Sequence, residues 1–162
     1  SKQPDQSYDV IIMAATDPVE WGPAVKLYTK EVYEIAERKL APGGILVTQA
    51  SSASHSPKTF LSIIHTLREV FPKACSYSVY VKSFASLWGF AVGSKGPQPS
   101  ELSPAEVDSR IRDRGVKGLK FYSGDVHRAL FTLTEALIRS WAVEPKVLTD
   151  EAPIPVEEML KF

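Results

Sequence analysis

The sequence predicts an α/β fold: strands alternate with helices and then give way to an antiparallel strand pair, which is the second half of a doubly wound sheet rather than a whole one. Three observations predict it. An apolar run, Tyr8-Asp9-Val10-Ile11-Ile12-Met13, reads as a buried strand near the start. A helical stretch then separates it from a second apolar run, Ile45-Leu46-Val47-Thr48-Gln49. Finally, two later strand patterns lie too close in sequence to be parallel, because a parallel pair needs a longer crossover.

Each element follows from its punctuation. Pro18 through Ala24 reads as loop, and Thr29 is placed to cap a helix whose Val32, Tyr33, Ala36 and Leu40 share one face before Pro42-Gly43-Gly44 stops it. After the second strand, Ser56-Pro57 opens a helix with Phe60, Ile63, Ile64, Leu67 and Phe71 at helical spacing, and Pro72 closes it. Cys75, Tyr77, Val79 and Val81 alternate with other residues as a half-buried strand does, and Trp88-Gly89-Phe90-Ala91-Val92 is a further strand antiparallel to it. Lys95-Gly96-Pro97-Gln98-Pro99 is a linker by composition. Beyond it, Ser103-Pro104-Ala105-Glu106 forms a capping box for a helix through about Arg114. Val126, Leu130, Leu133, Leu137 and Trp141 form the apolar stripe of a last helix starting near Asp125. Asp150-Glu151-Ala152-Pro153-Ile154-Pro155 is turn-rich. The expected division is residues 1–95 as half of a Rossmann-like domain, with 96–162 as a helical extension packing on it.

Composition narrows the function. A chain of 162 residues can bury one core, and its nineteen basic and nineteen acidic side chains cancel, so nothing in the net charge recruits nucleic acid or an anionic membrane. No apolar run approaches the roughly twenty residues a membrane span needs, and Ser1-Lys2-Gln3-Pro4-Asp5-Gln6 has no apolar secretion core. The single cysteine, Cys75, cannot make an internal disulfide. A soluble, cytoplasmic protein is expected. His55, His65 and His127 show no metal-site spacing, and Ser54, His55 and Asp17 lack the nucleophile elbow that a hydrolase triad would bring. The glycine-rich turn after the first strand that grips a nucleotide, with its acidic residue about twenty positions on, is not present either.

Several motifs, in order along almost the whole chain, resemble the polyamine aminopropyltransferases, the spermidine and thermospermine synthase family. Ala14-Ala15-Thr16-Asp17-Pro18 stands where that family carries Asp-x-x-Asp-Pro; Leu27-Tyr28-Thr29-Lys30-Glu31-Val32-Tyr33-Glu34 is similar to the segment that follows. Gly43-Gly44-Ile45-Leu46-Val47-Thr48-Gln49-Ala50, Trp88-Gly89-Phe90 and Lys120-Phe121-Tyr122-Ser123-Gly124-Asp125-Val126-His127-Arg128-Ala129 continue the match. Val19-Glu20-Trp21-Gly22-Pro23 and Val147-Leu148-Thr149-Asp150 lean towards the thermospermine synthase-like branch. Leu40 through Val47 is also similar to the turn and fifth strand of the class I methyltransferase-like fold, so the resemblance implies the C-terminal half of such a sheet.

What the resemblance implies is transfer of an aminopropyl group from decarboxylated S-adenosylmethionine, a co-substrate rather than a cofactor, to an amine of a polyamine. That reaction asks the protein to deprotonate an ammonium and hold it in line with a carbon activated by a sulfonium. In the family the first Asp of the motif is the proton acceptor. Here it is Ala14, which cannot accept a proton, so impaired turnover is expected. By the same resemblance Asp17, Gln49 and Tyr122 bind the amine, and Pro23 and Ala24 lie against the donor's adenine. Ser51 and Lys82-Ser83-Phe84-Ala85-Ser86 depart from the family pattern at the amine pocket. The implied partner is the N-terminal half of the enzyme, as a separate chain or a missing segment, within an oligomer. A non-catalytic scaffold of the same family is the alternative expectation. A small-molecule methyltransferase would use S-adenosylmethionine itself, and the Asp17-Pro18 and Tyr122 motifs speak against it.

Overall fold

The computed structural model describes residues 3–18 and 22–153. Four strands, β1 (Tyr8–Met13), β2 (Leu40–Ser52), β3 (Lys73–Val81) and β4 (Ser86–Ser94), form one sheet in the order β1-β2-β4-β3. β1 and β2 are parallel and joined through α1 (Lys30–Lys39); β4 is antiparallel to both neighbours. The crossover from β2 through α2 (Pro57–Val70) carries the chain past β4's place to the far edge, and β3 then turns back through a short 3₁₀ turn, Lys82–Phe84, to fill the gap. This is the mixed α/β half-sheet with its antiparallel pair that the alternation predicts.

The pleat assigns each strand residue to one of two faces. Ile11, Met13, Leu46, Ala50 and Ala91 join the main core, where α1 and α2 contribute the fully buried Tyr33, Phe60, Ile63 and Leu67. The opposite face presents Val10 and Ile12 from β1, Ile45 and Val47 from β2, Val92 from β4 and Cys75 and Tyr77 from β3. Among the described residues only the β3 side of that face is covered, by Phe131 of α4 (Gly124–Arg139). β1 was expected to be buried, yet Val10 is 55% and Ile12 74% exposed, because no element of the described chain lies over them and β1 is an edge strand.

Other expectations shift by a few residues, for local reasons. α1 ends at Lys39, before the Pro-Gly-Gly, and β2 already starts at Leu40. Residues 41–44 are an irregularity within the strand, between the Tyr8–Leu40 and Val10–Ile45 pairs, with Gly43 at φ +79°. Thr29 sits at the N-cap of α1, but its hydroxyl bonds Lys26 O and Asp150 Oδ1 instead of a helix amide. The capping box of α3 (Pro104–Asp113) forms as the sequence indicates, with Ser103 and Glu106 exchanging both bonds. On α4 the buried side is His127, Phe131 and Thr134, while Leu133 of the expected stripe is 68% exposed. The stripe turns because α4 runs along β3: Thr134 bonds Ser78, and Trp141 beyond the helix meets Phe60 edge-on. The following segment returns over α2 and α1, where Leu148 N–H donates to Thr66 Oγ1 and Leu148 O accepts from Lys30 N–H. Among the described residues no helix is long and apolar enough to cross a membrane. Trp21 with its neighbours Val19 and Glu20, and the Ile154-Pro155 end of the turn-rich tail, lie outside the described residues.

The two faces of β1 give adjacent isoleucines opposite stability roles. Ile11→Ala should lower the unfolding free energy of the chain by about 2 kcal/mol, whereas Ile12→Ala should change it by less than about 0.5 kcal/mol, as read from urea denaturation.

Candidate active site

Where two parallel strands end, their following loops diverge and leave a crevice at the carboxyl edge of the sheet. In this chain β1 runs out into residues 14–18 and β2 into Gln49 through Ser52, and between them opens a cavity of about 660 Å³. Ala14, Asp17 and Gln49 line it together, so three of the six residues singled out from sequence share one site. Trp88 and Phe90 of β4 and Phe84 of the β3–β4 turn complete its wall, the rings of Phe84 and Trp88 lying 4.4 Å apart between centroids. Among the described residues, one carboxylate, Asp17, faces mostly aromatic and aliphatic surface.

Gln49 organises this cavity. Its Oε1 accepts from the Ser51 backbone N–H at 2.9 Å and from the Trp88 indole N–H at 3.1 Å. Its Nε2 donates to Asp17 Oδ1 at 3.2 Å and to the Tyr28 hydroxyl. The Tyr28 hydroxyl in turn donates to Thr16 O at 2.8 Å. A primary amide has two donors and two good acceptor positions, and here all four are used. Tyr28 is fully buried at the end of the 3₁₀ turn Val25–Tyr28, and burial pushes its hydroxyl up to about 12, so it holds its proton as a neutral donor. Burial also raises Asp17 above the usual carboxylate range, and the Gln49 hydrogen bond pulls it back. The Ser51 hydroxyl, buried and without a hydrogen bond of normal geometry, likewise favours the charged carboxylate.

The remaining expected residues are placed elsewhere. Tyr122 stands at a second cavity, of about 550 Å³, on the half-covered face of the sheet, and the Asp17 cavity does not include it. Its hydroxyl meets His127 Nδ1 at 2.7 Å, while His127 Nε2 meets Pro99 O at 2.8 Å. A carbonyl only accepts, so Nε2 donates to Pro99 O, and in the neutral imidazole Nδ1 then receives the tyrosine O–H. Tyr77 of that second cavity stacks on Phe90 of the first, so the two are adjacent across one aromatic pair. Pro23 is exposed and Ala24 is buried at the N-cap of the 3₁₀ turn; neither lines the Asp17 cavity. Sequence reasoning missed Tyr28 and Trp88 as site residues. A buried tyrosine hydroxyl and indole N–H each demand a partner, which is the signal they carried. Ser54 shares its hydroxyl with Ser52 and Ser86 and makes no triad with Asp17. Among the described residues no cluster of His, Cys, Asp and Glu could hold a metal ion.

With this geometry in view, the comparisons with known proteins converge. The model of the spermine/spermidine synthase domain matches residues 1–102. A polyamine aminopropyltransferase of Hyperthermus butylicus is 40% identical over 151 residues, 93% of this chain and 50% of the relative. One from Saccharolobus solfataricus is 39% identical over 96% of this chain and 51% of its own length. A solved spermidine synthase in complex with the transition-state analogue AdoDATO superposes with a TM-score of 0.69 over 85% of this chain and 47% of that one, at 24% identity. The spermidine synthase of Thermotoga maritima gives 0.64 over 85% and 46%, at 22% identity; both likenesses establish the shared fold. The chain spans about half the length of the curated relatives it matches. The match of the family model over more than half of the chain, with relatives about 40% identical beside it, makes it a member of the spermine/spermidine synthase family of polyamine aminopropyltransferases.

Proposed function

We propose that this chain forms the acceptor side of an aminopropyltransferase site: it binds the ammonium of a polyamine through Asp17 and works with the remaining half of the enzyme length, which holds decarboxylated S-adenosylmethionine. The observation that carries this reading is the Asp17–Gln49 pair, held at the carboxyl edge of the parallel strands inside an otherwise apolar cavity. A half-buried carboxylate beside aromatic faces suits an organic ammonium, since Coulomb attraction and the ring quadrupoles act on the same cation.

In the reaction so proposed, the amine nitrogen attacks the methylene next to the sulfonium; the C–S bond breaks, its electron pair returns to sulfur as methylthioadenosine leaves, and one N–H proton must go to a base. Ala14 lines the cavity where that base would stand, and its methyl group accepts nothing. Among the described residues the site therefore keeps the means to bind an amine and lacks the group that would deprotonate it. Tyr122, Pro23 and Ala24 belong to this proposal only as contacts completed by the remaining half. The same loss of the base favours a second reading, a non-catalytic scaffold of the family.

Restoring Ala14→Asp in the chain paired with its other half, and assaying methylthioadenosine release with putrescine, spermidine and agmatine, separates the two. Turnover at least about a hundredfold above the Ala14 form is expected, in line with the contribution of a positioned general base. No gain, with donor demonstrably bound, would leave the scaffold.

Asp17 also sets a pH signature. Because burial raises its folded pKa, its contribution to stability is fully present below the ordinary value of 3.8 and is lost as pH rises through the raised value. The ionised carboxylate thus costs stability at neutral pH. Asp17→Asn should raise the thermal midpoint at pH 7, the gain should shrink to nothing below pH 3.8, and spermidine affinity should fall at pH 7; calorimetric scans and titrations at both pH values check this.

A further inference from the structure

The pairing of β2 with β4 slips once, beside the site. Gln49 pairs with Phe90, and the next pair is Ser52 with Trp88, so Ala50 and Ser51 together oppose the single residue Gly89. This is a β-bulge, and its second residue, Ser51, sits at φ +65° in the left-handed region that favours glycine. A non-glycine residue held there costs on the order of 1 kcal/mol, and such strain persists where surrounding contacts over-determine it. The residue opposite the bulge has to be glycine, since a Cβ on Gly89 would stand 2.4 Å from the Phe60 ring. The consequence is specific. The bulge aims the Ser51 N–H at Gln49 Oε1 and leaves Trp88 diagonal to Gln49 on the same face, its indole N–H directed at the same oxygen.

Two donors therefore converge on one end of the Gln49 amide. With the amide turned over, its NH₂ would face two N–H groups and its oxygen would face the Asp17 carboxylate, so every one of those contacts would become repulsive. The Ser51 bond comes from the backbone and belongs to the bulge itself. The bond from Trp88 is the one supplied by a side chain, and no residue singled out for the site includes it.

We propose that Trp88 is a positioning residue of this site: its indole N–H fixes the orientation of the Gln49 amide, so that Nε2 holds Asp17 Oδ1 and leaves the other carboxylate oxygen for an incoming ammonium. Trp88 acts through Gln49. The inference rests on the proposed amine-binding role only in what it says of the ligand; the orientation of the amide stands on the free protein.

The test uses the full chain, together with its other half where the two copurify, and the variants Trp88→Phe, Gln49→Met and the double variant. Carbon-13 spectra of the aspartate side chains follow the titration of Asp17. Trp88→Phe, which deletes the N–H and keeps an aromatic ring, should raise the pKa of Asp17, and Gln49→Met should raise it at least as far. In its Asp17 titration the double variant should match Gln49→Met alone, because the indole N–H reaches Asp17 only through the amide. Spermidine affinity at pH 7 should weaken by about fivefold in Trp88→Phe, the effect of one lost hydrogen bond. An unmoved Asp17 in folded Trp88→Phe, or a Trp88→Phe shift that adds in full to that of Gln49→Met, overturns the proposal. Should Trp88→Phe fail to fold, hydrogen exchange decides: the Trp88 indole proton is protected in the parent chain and loses protection in Gln49→Met, and equal protection in both overturns it. If Asp17 shifts as expected but spermidine binds neither form, the amine-binding reading falls and the positioning role of Trp88 stands.

Discussion

Saturation of one buried amide holds this site together. Gln49 takes a hydrogen bond from β4, one from its own strand's bulge, and gives one to the loop after β1 and one to the 3₁₀ turn before α1. Four segments, its own strand among them, thus meet at a side chain that is only 7% exposed. A buried amide with any of these partners removed would carry an unsatisfied group, at a cost of about 1–3 kcal/mol, so the constraint acts on all four segments together. The positions of Asp17, Tyr28, Ser51 and Trp88 are consequences of it.

The sheet supplies the geometry that the amide then locks. A parallel pair ends with both carboxyl termini on the same edge, which is why Asp17 and Gln49 can meet although 32 residues separate them. The antiparallel β4 enters from the other direction and brings its beginning, Trp88, to that same edge. An all-parallel arrangement would have placed the start of β4 at the opposite end. The mixed sheet is therefore a condition for the amide network, and the hairpin from β3 delivers Phe84 to the wall as a by-product of its turn.

Most of the architecture was legible in the sequence because it rests on local rules. The first strand spans Tyr8–Met13 as its apolar run suggests, the capping box of α3 forms with both bonds, and the antiparallel relation of β3 to β4 follows from the short connection. Asp17 and Gln49 were legible through motif resemblance. What was not legible depends on contacts distant in sequence. The exposure of Val10 and Ile12 is a property of what lies over a strand, which its own alternation cannot state. The turned stripe of α4 follows from its running along β3, the place of Trp88 from a bulge that no periodicity announces, and that of Tyr28 from the meeting of its hydroxyl with Gln49. Tyr122 shows the same limit from the other side: the motif marks the residue, while the fold of the described residues pairs it with His127 and sets it across the Tyr77–Phe90 stack from Asp17.

Ala14 takes part in none of this. It lies exposed at the mouth of the cavity, and no hydrogen bond of the Gln49 network passes through it. The network satisfies its own donors and acceptors without any group at position 14, so the geometry around Asp17 is independent of whether that position carries a carboxylate. An aspartate there would add a second negative charge near Asp17 in a partly desolvated cavity, and each carboxylate would raise the other's pKa until a cation occupied the space between them. The alanine relieves that repulsion. Under the amine-binding role proposed above, the site would hold a cation with one charge, where a two-carboxylate site would hold a cation and take its proton.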